Sequence, residues 1–253
     1  MVNIALVGCN GKMGYAVATA VAKRDDCKVA VGIDLYGESK HDFPVYTDFK
    51  DISDKIDVVI DFSNPTSLNG MLDYAKANSV PCVICTTGYS AEQIEQIKSA
   101  SNDVAIFYSG NMSLGINLLI QLSKQAAKVI GDEFDIEIVE KHHNQKVDAP
   151  SGTALMIADG ISETLNEEPQ YVYDRHSYRK KRSKNEIGIH SIRGGSIVGE
   201  HEVIFAGHDE VLSITHQVQS KEVLAVGAVN AAVFLPEQTA GMYDMGNLLS
   251  SKM

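Results

Sequence analysis

Over roughly the first 110 residues, short apolar runs alternate with amphipathic stretches. Asn3–Val7 is followed by a glycine turn and a helical stretch to about Lys23, and Lys28–Ile33 ends at Asp34. Asp57–Phe62 precedes the breaker Asn64-Pro65, a helical stretch Ser67–Ala77 and a further run Val80–Cys85. Ser90, with Gln93 three residues on, reads as a capping box opening a helix before the run Val104–Tyr108. Buried strands alternating with helices predict a doubly wound parallel sheet. The texture then changes. Ser113–Ile130 predicts one long helix with Asn117, Gln121, Lys124 and Lys128 on a polar stripe. In the strand after it, Phe134, Ile136 and Ile138 face one way and Asp135 and Glu137 the other. Val198–Ala206 and Glu210–Val218 alternate similarly, and Thr153–Leu165 reads as a helix. Such alternation predicts an α+β region with a mixed or antiparallel sheet. A small, apolar helix over about Lys221–Phe234 is expected to return and cover the first region. The expected division is 1–111 with 218–253, and 112–217.

The 253 residues, 44% hydrophobic, suffice for a sizeable core. A net charge of −11 repels phosphate backbones, so nucleic acid is not an expected partner. No apolar run reaches membrane-spanning length, and the N-terminal residues lack a basic, cleavable leader. The four cysteines, Cys9, Cys27, Cys82 and Cys85, read as reduced thiols in cytoplasm. Cys82 and Cys85 form a C-x-x-C, but within a strand-like run with no second pair, so core packing is the reading. The basic run Arg179-Lys180-Lys181-Arg182 reads as a solvated, mobile loop, or as positive field near an anionic substrate or a subunit contact.

The turn Gly8-Cys9-Asn10-Gly11-Lys12-Met13-Gly14 joins the first strand to the first helix, and its glycines are spaced G-x-x-G-x-x-G. A pyrophosphate needs a tight turn, close backbone approach and free helix N-terminal N–H groups, and this turn offers all three. Asp34 stands 20 residues beyond Gly14, where an acid accepts hydrogen bonds from a ribose. The first region therefore reads as a Rossmann-type dinucleotide-binding domain. An acid there favours NADH over NADPH, while Lys12 could neutralise a 2′-phosphate.

The segment from Glu140 to Ala154, EKHHNQKVDAPSGTA, carries the chemistry. Pro150 ends earlier regular structure, and Ser151, Gly152 and Thr153 open a helix whose N–H groups and hydroxyls suit a carboxylate. His142 and Lys146, placed upstream on the connecting loop, supply a proton near neutral pH and a fixed charge. Glu140, His142, His143 and Asp148 could also surround a zinc ion, but adjacent strand histidines point apart, so no metal is expected.

This segment, the glycine turn, Asp61-Phe62-Ser63, Thr86-Thr87-Gly88, Ser109-Gly110-Asn111-Met112, Arg193-Gly194-Gly195, Gly199-Glu200-His201 and Gly241–Met245 together resemble the dihydrodipicolinate reductase family over nearly the whole chain. The resemblance implies NADH- or NADPH-dependent reduction of 4-hydroxy-tetrahydrodipicolinate in the diaminopimelate and lysine pathway. It implies His142 as acid/base residue and Lys146 as proton donor, with His143, Gly152 and Thr153 on a dicarboxylate substrate and Ser151 beside them. It implies that Gly8, Cys9, Asn10, Gly11, Lys12, Met13, Asp34, Cys85, Thr86, Thr87, Ser109, Gly110, Asn111 and Met112 line the dinucleotide. It also implies a homotetramer held by the substrate domain. Two departures stand out: Cys85 replaces a frequent glycine, and Leu35 replaces a base that some relatives use for a 2′-phosphate. Rival readings are another two-domain NAD-dependent oxidoreductase, a dinucleotide-sensing regulator and a metal-dependent hydrolase. A semialdehyde dehydrogenase would need a thiol in the second region, and all four cysteines precede residue 86.

Overall fold

In the computed structural model, which describes residues 1–38 and 40–252, the chain forms two compact units. The first takes Met1–Ser113 and the chain from Glu222 onward; the second is Leu114–Lys221.

The first unit opens with β1 (Val2–Val7), α1 (Lys12–Val21), β2 (Cys27–Ile33), a two-residue β3 (Val45–Tyr46) and β4 (Val58–Asp61). It continues through α2 (Leu68–Asn78), β5 (Cys82–Ile84), α3 (Ala91–Ala100) and β6 (Ala105–Tyr108). Every residue of β4 and β5 is buried, which is why, Asp61 apart, their sequences are apolar runs rather than alternating ones. The Ser90–Gln93 capping box starts α3 as its sequence predicts. One sheet face packs α2 and α3, with Leu68, Met71, Leu72, Ala75 and Ile97 against Val59, Cys82 and Ile84.

The second unit contains α4 (Leu114–Ile130), β7 (Asp135–His142), α5 (Gly152–Ser162), β8 (Gln170–Val172), β9 (Glu186–Arg193), β10 (Gly199–Ala206) and β11 (Val211–Val218). Its sheet runs β11-β10-β7-β9-β8 and is mixed: β10 is antiparallel to β7 and β11, whereas β7, β9 and β8 are parallel. Ile136, Ile138, Val203 and Phe205 meet Ile116, Leu119, Ile157 and Ile161 of α4 and α5 in its core. The polar stripe expected on α4 holds only at its end: Lys128 is exposed, whereas Asn117, Gln121 and Lys124 are half-buried and the other exposed positions are Leu118, Leu122, Gln125 and Val129. The basic run is not uniformly solvated either. Arg182 turns back onto β7, donating to Asp135, Glu137 and the Ile136 carbonyl, while Arg179, Lys180 and Lys181 are exposed.

The chain then rejoins the first unit through α6 (Glu222–Phe234), β12 (Gly241–Tyr243) and α7 (Met245–Ser250). α6 packs on α1, β1, β4 and β5. Its Ala225, Gly227, Ala228, Val229, Ala231 and Ala232 are buried, as a helix apolar all round requires. A Cβ on Gly227 would lie 1.7 Å from the Met112 carbonyl oxygen, so only glycine admits this approach. The seven-stranded sheet is wholly parallel, in the order β12-β6-β5-β4-β1-β2-β3. Strand progression reverses at β1, which pairs with β2 on one side and β4 on the other. Val7 is in register with both Ile33 and Asp61, so the segments that follow all three strands emerge at one sheet edge. That reversal is where doubly wound sheets open a ligand crevice. The short strands β3, β8 and β12, and the longer β9, have no counterpart in the predicted elements.

Candidate active site

The crevice of the first unit has a volume of about 700 Å³ and is lined by Gly8, Asn10, Gly11, Asp34, Phe62 and Ser63 among others. Gly8 has φ +76°, and a Cβ there would lie 2.5 Å from the Phe62 carbonyl oxygen. A Cβ on Gly14 would lie 2.3 Å from the Gly8 carbonyl oxygen, so this glycine lets α1 start directly against the turn. α1 is preceded by Gly11 with no side-chain cap, which leaves its first N–H groups to water or an anion. The Asn10 N–H donates to Asp34 Oδ2 at 2.9 Å, tying the turn to the end of β2, and the buried Asn10 Oδ1 has no partner among the described residues. A glycine cradle, an uncapped helix start, an unpaired buried polar oxygen and an acid at the end of β2 together fit a dinucleotide.

Behind the crevice wall sits Asp61, fully buried. Ser63 donates to Oδ1 through N–H (3.0 Å) and Oγ (2.5 Å), and the Tyr89 hydroxyl donates to Oδ2 at 3.1 Å. Burial raises the Asp61 carboxyl, and the hydrogen bonds from Ser63, Thr86 and Tyr89 offset this only in part.

The second unit builds its site on the β7–α5 connection. Alternation along β7 sends Glu140 and His142 to the same, buried face. Glu140 is fully buried and its carboxylate is saturated. His142 Nδ1 lies 2.6 Å from Oε2, Arg193 Nη1 donates to Oε2 at 2.8 Å, Arg193 Nη2 to Oε1 at 2.6 Å, and the Ser151 N–H to Oε1 at 3.1 Å. Burial opposes the charge, but the bonds from Arg193, His142 and Ser191 prevail and hold the carboxyl down at about 2. Ser151 caps α5, its Oγ accepting the Ala154 N–H at 3.1 Å, and lies 3.1 Å from His201 Nε2. His201 stands edge-on to His142 with ring centroids 5.2 Å apart; burial, then the neighbouring His142, lowers it to about 4. Lys146 Nζ pairs with Asp148 at 2.8 Å, and a Cβ on Gly152 would meet nothing within 4 Å. The site thus combines a buried, carboxylate-anchored imidazole, an ammonium and a helix N-terminus, the materials for proton transfer beside a bound anion. Among the described residues no group of three or more His, Cys, Asp or Glu is arranged to hold a metal ion. No helix there is long and apolar enough to cross a membrane.

Residues 2–112 match the dihydrodipicolinate reductase N-terminus and residues 115–249 the dihydrodipicolinate reductase C-terminus. The chain belongs to the dihydrodipicolinate reductase family. A 4-hydroxy-tetrahydrodipicolinate reductase of Caldanaerobacter subterraneus subsp. tengcongensis is 51% identical over 249 residues, 98% of each chain. One from Clostridium tetani is 48% identical over 251 residues, 99% of this chain and 98% of that one. The solved structure of a dipicolinate-bound dihydrodipicolinate reductase from Paenisporosarcina sp. TG-14 superposes with a TM-score of 0.80 at 25% identity, covering 96% of this chain and 97% of that one.

Within this family member the residues singled out in the sequence take distinct places. His142 is the last residue of β7, not part of the loop, because the Gly194 N–H pairs with its carbonyl oxygen and extends the ladder. His143 is half-buried one step further on. The Ser151 hydroxyl is occupied as the N-cap of α5, and Gly152 and Thr153 are the first two residues of that helix. In the first unit Gly8, Asn10, Gly11 and Asp34 line the crevice. Cys9 does not offer its thiol there: it is buried, and a Cβ on Gly32 would lie 2.6 Å from its sulfur. Lys12 and Gly11 are exposed and Met13 is half-buried at the start of α1. Thr86 is buried with its Oγ1 accepting the Ser63 N–H at 2.9 Å, Cys85 is half-buried, and Thr87 is exposed. Ser109, Gly110 and Asn111 stay accessible, but Met112 is buried against α6. All four cysteines are free thiols. Reading the motif alone passes over Glu140, Arg193 and His201 as a group. Alternation on β7 signals Glu140, whereas the other two arrive through the pairing of Arg193 with His142 and of His201 with Glu140 across strands.

Proposed function

We propose that this chain reduces 4-hydroxy-tetrahydrodipicolinate to tetrahydrodipicolinate with a nicotinamide dinucleotide, the second unit binding substrate and the first the dinucleotide. The observation that carries this reading is the buried Glu140–His142 pair beside the N-terminus of α5, in a chain 51% identical to a reductase of that name. Loss of the 4-hydroxyl as water leaves an unsaturated ring. When bound, the nicotinamide supplies the hydride. His142 then protonates the resulting enamine as acid/base residue, with Lys146 as the second proton donor. The two substrate carboxylates find anchors in Lys146 with His143, and at the start of α5 beside Gly152 and Thr153.

Gly8 to Met13, Asp34, Cys85 to Thr87 and Ser109 to Met112 form the dinucleotide wall, with Cys9 and Met112 serving through backbone. Asp34, Glu38 and Asp48 line the crevice with Lys40 as the cation among the lining side chains, a balance that disfavours a 2′-phosphate. NADH is the preferred donor and NADPH is tolerated. The enzyme acts in the cytoplasm, in keeping with its free thiols. It assembles as a homotetramer through the second unit, where Leu118, Leu122 and Val129 are exposed along α4.

The test is loss of absorbance at 340 nm with each nucleotide, the substrate being made in situ by a dihydrodipicolinate synthase from pyruvate and aspartate semialdehyde. Rapid oxidation, lost on the order of 10²-fold or more in His142→Gln and Lys146→Ala, supports the reading. Tight NADH binding without turnover would point instead to a dinucleotide sensor.

A further inference from the structure

We infer that Glu140 is a positioning residue that locks His142 in the Nδ1–H form, so that Nε2, facing the space left by Gly199, is the atom that exchanges the proton. The inference rests on the proposed acid/base role of His142. Glu140 is the only group bonded to Nδ1 among the described contacts of that ring, at 2.6 Å. Its two oxygens already accept two N–H groups of Arg193 and the N–H of Ser151, all of them donors without an acceptor role. Glu140 is thereby kept an ionised acceptor, and an ionised carboxylate has no proton to give. Nδ1 must therefore be the donor, and Nε2 carries the free lone pair or the labile proton. At the other side of the ring, a Cβ on Gly199 would lie 3.2 Å from Nε2, so glycine keeps that nitrogen open. His201, edge-on to the ring and held uncharged near neutrality, adds no competing positive charge.

Glu140→Gln tests the lock. Its amide can place oxygen toward Oε1's two donors, Arg193 Nη2 and the Ser151 N–H, only by turning NH₂ toward His142 Nδ1 and Arg193 Nη1. The opposite orientation leaves two donors facing NH₂ at the Oε1 position, so the first is favoured. His142 must then accept at Nδ1 and become the Nε2–H form. The measurement is ¹⁵N NMR of histidine-labelled protein, with His142 assigned by its absence in His142→Gln. Wild type should show Nδ1–H and Glu140→Gln should show Nε2–H, with kcat falling on the order of 10²–10⁴-fold. The Michaelis constant for NADH should stay within about twofold. Gly199→Ala should lower kcat about tenfold or more while His142 keeps the Nδ1–H form.

An Nε2–H imidazole in the wild type would overturn the inference, whether or not Glu140→Gln folds. So would unchanged kcat in Glu140→Gln despite a switched tautomer. Full turnover in His142→Gln would instead remove the acid/base reading on which it rests, leaving the spectra to report on Glu140 alone.

Discussion

The two units build their sites from different materials. In the first, the turn after β1 offers mostly backbone: Gly8 and Gly14 are required because main chain occupies the space a Cβ would take, and α1 begins without a side-chain cap. In the second, the β7–α5 connection is crowded with ionisable groups, and its helix start is capped by Ser151. The buried carboxylates differ in the same sense. Among the described residues Asp61 has hydroxyl and N–H partners and no bonded cation, and burial raises it; Glu140 has Arg193, and is held down at about 2. A backbone site tolerates little change in shape, whereas a charge network tolerates little change in pairing.

The largest effect separating the two should come from Arg193→Ala. It leaves Glu140 buried with its cation gone, and a loss of about 3–5 kcal/mol in unfolding free energy is expected from denaturant titration. A loss below about 1 kcal/mol would mean that water or His142 replaces the guanidinium. Gly14→Ala should follow, at about 2–3 kcal/mol, because its methyl would sit 2.3 Å from the Gly8 carbonyl oxygen and 2.4 Å from that of Cys9. It should also abolish NADH binding measured by fluorescence, while Arg193→Ala should not.

The carboxylates predict opposite pH responses. For Glu140 the folded value lies below the ordinary unfolded one, about 4.3. Its stabilisation is therefore full above that value and lost as pH falls toward about 2. For Asp61 the folded value is raised, so its contribution is present below an unfolded value of about 3.9 and is lost as pH rises through the folded value. Asp61→Asn should accordingly flatten the decline in stability above about pH 4, seen as denaturant midpoints across a pH series. A steeper decline in the variant would contradict the assignment. The smallest contrast is between caps. Ser151→Ala should cost about 1–2 kcal/mol in thermal unfolding, since its buried hydroxyl also faces His201. Ser90→Ala, at an exposed capping box, should cost about 0.5–1 kcal/mol.

Local periodicity determined much of this protein. The parallel strands β1, β2, β4, β5 and β6 were legible as apolar runs because most of their residues are covered, and β7, β10 and β11 because more covered positions alternate with less covered ones. The glycine turn was legible because spacing encodes close approach, and the reactive segment because few chains need His-His-x-x-Lys before a capped helix. Other features depend on partners distant in sequence. β3, β8 and β12 have two or three residues each and exist through the register of a neighbouring strand. β9 carries buried Ile187 and Ile189 but follows a charged stretch that obscures its start. Arg182 leaves a run of like charges because Asp135, Glu137 and the Ile136 and Glu186 carbonyls accept its N–H groups. Arg193 meets Glu140 across 53 residues of sequence, and His201 meets Ser151 across 50. A one-dimensional pattern specifies which face a side chain takes on its own strand. Only strand pairing specifies what faces it across the sheet.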